Sequence, residues 1–130
     1  MEVDTINWLA VGVAALSSFL IGGLWYSALF AKKWQKLAKV SDEQLKQGVL
    51  KVFVLSFVVS LIMAINLAFF IGNKDIAFGT FAGFAVGFGW IAMALGMNYL
   101  FERKSFGLYA INAGYNIVAL TVMGFIIGAL

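Results

Sequence analysis

Four long apolar runs alternate with short polar stretches along the 130 residues. The runs cover residues 6–30, 49–72, 76–101 and 106–130. Each is apolar on every face rather than striped, so each reads as a helix with no side meant for water. Each also reaches the roughly 20 residues that a helix needs to cross a hydrocarbon core about 30 Å thick. The pattern predicts an all-α fold, an integral membrane four-helix bundle forming a single transmembrane domain over residues 1–130. Asn73-Lys74-Asp75 and Glu102-Arg103-Lys104 are turns of a few residues, so the spans are expected to run antiparallel, up and down.

Residues 31–48 form the one long polar segment. Trp34, Leu37 and Val40 recur at three-residue spacing, which predicts an amphipathic stretch lying along the membrane surface. Ser41-Asp42-Glu43-Gln44 fits a capping box, and the helix it starts is expected to run straight into the second span. Trp8, Trp25 and Trp34 are read as anchors at the membrane–water interfaces.

Small residues recur at helical spacing. Ala14, Ser18 and Gly22 share one face of the first span, and Ser56, Ser60 and Ala64 one face of the second. Gly79, Gly83 and Gly87 make a doubled G-x-x-x-G whose face is expected to continue to Ala94 and Asn98. Gly114 shares a face of the fourth span with Gly107, Ala110 and Thr121, and Gly124 with Gly128 adds one more G-x-x-x-G. Such stripes let helix backbones approach closely, so van der Waals contact drives association where the hydrophobic effect is missing. Spacing leaves open whether the partner is another span or a second chain. The number of stripes predicts a homo-oligomer, and the one-sided distribution of the basic residues makes it parallel, with its axis along the membrane normal.

Composition agrees with the pattern. Hydrophobic residues make up 63% and charged residues 12%, against about 45–50% and 25% in soluble domains. Cysteine, histidine and proline are absent. Disulfides, thiolate chemistry and the usual zinc ligands are thereby excluded, and glycine must supply any helix irregularity. The start, Met1-Glu2-Val3-Asp4, is acidic, which predicts a short tail over Met1–Thr5 rather than a cleavable signal.

Charge then sets direction. Lys32, Lys33, Lys36, Lys39, Lys46 and Lys51 fall on one side with Arg103 and Lys104, against Lys74 alone on the other. The bias predicts a multi-pass inner-membrane protein with both termini outside the cytoplasm. It also accounts for the net charge of +3 without a nucleic-acid partner. Lys32, Lys33, Lys36 and Lys39 form an inner-surface basic patch suited to membrane lipid.

No span carries an ionisable residue at its centre. Proton relays and ion-coupled transport normally need one. No nucleophile has a base beside it and no acidic pair faces the membrane interior, so no enzyme, cofactor or metal is expected. The neutral polar residues remain. Tyr109, Asn112 and Asn116 share a face of the fourth span and, with Asn66, form a candidate polar cavity. Amides and hydroxyls serve equally to line a path for a small ion or solute and to bond helices together.

Gly22-Gly23-Leu24-Trp25-Tyr26-Ser27, followed by Phe30 and Trp34, resembles the signature of a family of small bacterial membrane proteins known as domain of unknown function 1761. Ser41-Asp42-Glu43-Gln44-Leu45-Lys46 is similar to its inner loop, and Gly114-Tyr115-Asn116 with Met123-Gly124 and Gly128 to its last helix. Ala28 stands where the family often has proline. The resemblance implies four spans in a bacterial inner membrane and no particular activity. Two functions follow as expectations: a structural or lipid- or partner-binding membrane module, or a channel or facilitator lined by the neutral polar residues.

Overall fold

The computed structural model describes residues 6–130; the acidic tail read at Met1–Thr5 lies outside the described residues. Four helices, Trp8–Leu29, Val49–Ile71, Ile76–Phe101 and Phe106–Ala129, are long and apolar enough to cross a membrane. The protein is therefore a helical, multi-pass membrane protein.

The first span comprises α1 (Trp8–Leu24) and a π-helical turn over Trp25–Leu29. The loop folds into α2 (Ala31–Ala38) and α3 (Asp42–Lys46). The second span is α4 (Val49–Ile71). The third joins α5 (Ile76–Val86), a π-helical turn over Gly87–Ala92 and α6 (Met93–Phe101). The fourth is α7 (Phe106–Ala129). Short polar side chains start three of the spans: Asn7, Asp75 and Ser105 accept the backbone N–H of Ala10, Phe78 and Leu108 at 3.0–3.2 Å.

The capping box is present. Ser41 Oγ accepts from Gln44 N–H at 3.1 Å, and Gln44 Oε1 accepts from Ser41 N–H at 2.8 Å. The helix does not continue into the second span, however. α3 stops at Lys46, Gln47 is extended and Gly48 takes the left-handed conformation at φ 59°, where a residue without Cβ is favoured.

The glycine stripes of the third and fourth spans meet each other within the chain. A Cβ on Gly79 would collide with Gly124 O, one on Gly83 with Leu120 O, and one on Gly128 would lie 2.7 Å from Asp75 O. Gly87 faces Asn116 and Ile117. Backbone meets backbone along this α5–α7 seam. The stripes are thus occupied, and a homo-oligomer must use another surface.

Neither span containing a π turn keeps one helical phase. A π turn carries one residue more than an α turn, so every side chain beyond it is displaced around the axis. The face of Gly79, Gly83 and Gly87 therefore does not continue to Ala94 and Asn98, which are exposed. Ala92 is buried, and Leu95, Gly96 and Tyr99 are half-buried, each one position later than α spacing requires.

α1 packs between α7 and α4. The core consists of Val11, Ala14 and Ala15 from α1, Ala64, Leu67, Ala68 and Ile71 from α4, Ala82 from α5, and Leu120, Met123 and Ile127 from α7. This cluster lies in the half of the bundle away from the 31–48 loop, while Ala92, Leu108, Ile111 and Ala113 are buried in the other half. There α4 separates from the other spans. Leu50, Val52, Phe53, Val54 and Leu55 at the start of α4 are at least half exposed, and α6 buries no residue.

Candidate functional site

Two short segments, 86 residues apart, are knotted together where the first span turns toward the loop. The Gly22–Ser27 stretch supplies one side and Ile111–Tyr115 of α7 the other. Gly22 leaves room for the Tyr115 ring, since a Cβ would stand 3.2 Å from the phenol oxygen. Gly114 likewise receives the indole of Trp25. Trp25 Nε1 donates to Ile111 O at 2.9 Å. Trp25 and Tyr26, consecutive residues of the π turn, both lie against α7. Their rings continue into a cluster: Trp25 with Phe30 at 5.0 Å, Tyr26 with Trp34 at 5.3 Å and Tyr26 with Tyr115 at 5.4 Å.

Asn112 is the centre of this knot. Its Oδ1 accepts from Tyr26 OH at 2.7 Å, and its Nδ2 donates to Tyr99 OH at 2.7 Å. One amide thus ties the first, third and fourth spans. Tyr99 reaches it because the Gly87–Ala92 turn has shifted the phase of α6. Tyr109 crosses to that turn, its ring over Gly96 and its hydroxyl donating to Ala92 O at 2.8 Å.

The expected strip of Tyr109, Asn112 and Asn116 is therefore divided. Tyr109 and Asn112 are bonded into helix contacts. Asn116 Nδ2 donates to Asn112 O on its own helix at 2.9 Å, and its side chain borders a cleft. Asn66 does not join them. It is exposed on the outside of α4 and bonds Ile62 O of its own helix, so it belongs to the lipid-facing surface. The indole of Trp25 is half-buried and bonds α7. Trp34 is half-buried against Tyr26, whereas Trp8 is 52% exposed.

The cleft lies under the separated half of α4. It has two lobes, about 710 Å³ and about 430 Å³, which share Val52, Ser56, Ser60 and Tyr115. The larger runs along Phe19, Gly23, Tyr26 and Trp34 toward Leu45 of α3. Phe19 sets its edge against Phe53 and Phe57 of α4 at 5.8 and 6.3 Å. At the closed end three hydroxyls gather. Tyr115 OH donates to Ser18 O at 2.9 Å and stands 3.2 Å from Ser18 Oγ, with Ser60 Oγ 3.5 Å beyond. Ser18 and Ser60 are buried. Both volumes fall in the range of about 300–1,000 Å³ typical of small-ligand sites.

The sequence marks Ser18 and Ser60 as members of small-residue stripes and Tyr115 as part of the Gly114-Tyr115-Asn116 element, but does not bring the three together. Their meeting depends on the angle between α1, α4 and α7, which no spacing along one helix reveals. Lys32, Lys33, Lys36 and Lys39 are exposed around α2, while Leu37 packs over Gly107 at the start of α7. The lysines stand outside the cleft.

A family described as Protein of unknown function (DUF1761) matches residues 9–128. No curated protein and no solved structure matches the chain.

Proposed function

Because the chain belongs to the DUF1761 family of proteins of unknown function, we propose its activity from its own geometry: it is a membrane module that binds lipid in the cleft beneath α4. The observation that carries this reading is the cleft itself. An open, largely apolar hollow of about 710 Å³ at membrane depth is filled by whatever hydrocarbon surrounds it. The core half of the bundle and the Asn112 knot keep α1 and α7 rigid while α4 stands away from them. In this reading Asn112 ties helices and lines no path, because both ends of its amide are taken by tyrosines.

The remaining assignments follow. The protein sits in a bacterial inner membrane as an antiparallel, up-and-down bundle with both termini outside the cytoplasm. Lys32, Lys33, Lys36 and Lys39 meet anionic headgroups at the inner surface. No catalytic step, cofactor or metal belongs to the function. Self-association is parallel and uses the outer face of α4, where Leu50, Val54, Val58 and Ile62 recur at i, i+4 and are all exposed.

Gly23→Leu tests the reading. A Cβ at Gly23 meets nothing within 4 Å, so a larger side chain there is expected to project into the larger lobe and narrow it. Purified in mild detergent, the wild type is expected to retain co-purifying lipid that the variant lacks in native mass spectra. Equal lipid content in both would defeat the proposal.

A further inference from the structure

We infer that the cleft selects a lipophile with an apolar tail and a neutral hydrogen-bonding head, a hydroxyl or carbonyl, seated against Ser18, Ser60 and Tyr115. This rests on the lipid-binding reading and adds the chemical class of the lipid.

Depth comes first. Ser18 lies midway along Trp8–Leu29 and Ser60 midway along Val49–Ile71. At 1.5 Å per residue each is about 15 Å from either end of its span. The hydroxyl cluster therefore sits near the bilayer centre. A phospholipid headgroup stays at the interface and reaches this depth only with the methylenes of its tails.

Charge comes second. Among the described residues lining either lobe there is no Asp, Glu, Lys or Arg, and the chain has no histidine. An ionised carboxylate or phosphate drawn to the cluster would lose its hydration and gain no counter-charge, at a cost of several kcal/mol. A neutral hydroxyl or carbonyl loses far less and recovers it with one good hydrogen bond.

The donors come third. Tyr115 OH is committed to Ser18 O at 2.9 Å. Ser60 is not committed. Its 3.5 Å approach to Ser18 Oγ is well outside the usual O–H···O range of about 2.5–3.0 Å. Ser60 is 7% exposed and lines both lobes, and its hydroxyl is free to turn toward a better acceptor. Ser56, one turn nearer the loop, offers a second hydroxyl at the same wall. Phe19, Val52 and Phe53 cover the path that the tail follows toward the loop.

The test uses the full chain in nanodiscs of unlabelled phospholipid. Each sample is doped with either a diazirine-bearing long-chain alcohol or a phosphatidylcholine carrying the same diazirine on its acyl chain. Labelling of the Val52–Ser60 peptide is read by mass spectrometry. The alcohol is expected to label about fivefold more per mole, the factor that one net hydrogen bond is worth. Ser60→Ala is expected to bring it down to the phospholipid level, and Ser18→Ala to weaken it in the same direction. Equal labelling by the two probes, unchanged in Ser60→Ala, would overturn the head-group selection while leaving lipid binding standing. Labelling no stronger in wild type than in Gly23→Leu, for either probe, would remove both.

Discussion

Asn112 and Asn66 are the same residue type inside two apolar helices, and the structure gives them opposite values. Asn112 bonds two tyrosines from two other spans, whereas Asn66 bonds only its own helix and faces lipid. Side-chain hydrogen bonds between membrane helices average about 0.6 kcal/mol and reach about 1.7. Asn112→Leu is therefore expected to lower stability by about 1–3 kcal/mol in steric-trapping or detergent-unfolding measurements, and Asn66→Leu to change it by less than about 0.5 kcal/mol. Equal effects would show that the knot does not hold the bundle. Glycines divide the same way. Gly83→Ala meets backbone at Leu120 O and should cost about 1–3 kcal/mol or more, because neither helix backbone can yield. Gly12 has nothing within 4 Å of an added Cβ, so Gly12→Ala is expected to be neutral or stabilising through helix propensity.

The element that decides most is the π turn. Were Gly87–Ala92 a regular α-helix of the same length, the spacing from Gly79, Gly83 and Gly87 would carry Ala94 and Asn98 to the bundle and turn Tyr99 away from Asn112. Deleting Gly89, where an added Cβ would meet nothing within 4 Å, removes the extra residue, so a regular α-helix is then expected to carry the same side chains to the bundle. The chain lacks cysteine, so single cysteines report the outcome directly. In the deletion variant position 98 should stay reactive and position 99 protected. The coupling energy between Tyr99 and Asn112 in a double-mutant cycle should persist. An exchange of the two accessibilities would mean that the phase is set by something other than the turn. In the first-span turn, Trp25–Leu29, Trp25 and Tyr26 both bond α7.

At the scale of the whole molecule, one half is a tight core and the other is open. Glycines and alanines let α5 meet α7 and α1 meet α4 in the first half. In the second half, α4 and α6 expose large apolar side chains that only lipid or another protein surface can cover. The proposed orientation places the open half at the cytoplasmic side. A membrane-impermeant thiol reagent added to intact cells is expected to label a cysteine at position 74 and not one at position 36. Labelling of both would reverse or abolish the lysine-based topology.

Much of this was legible before any fold was known. Run length and composition require four membrane helices, because a chain 63% hydrophobic cannot present a polar surface to water. Ser41 and Gln44 announce their capping box, because capping is local. Sequence alone also marked Gly22–Ser27 and Gly114–Asn116 as special segments. That the two meet, that the glycine stripes close within one chain, that Asn66 faces lipid while Asn112 is held, and that α4 leaves a cleft were decided by tertiary structure. The physical reason is phase and crossing angle. In helices apolar on every side no hydrophobic stripe declares the inward face, and two π turns then shift that face by a residue each. Only backbone fit between whole helices settles which side chains meet.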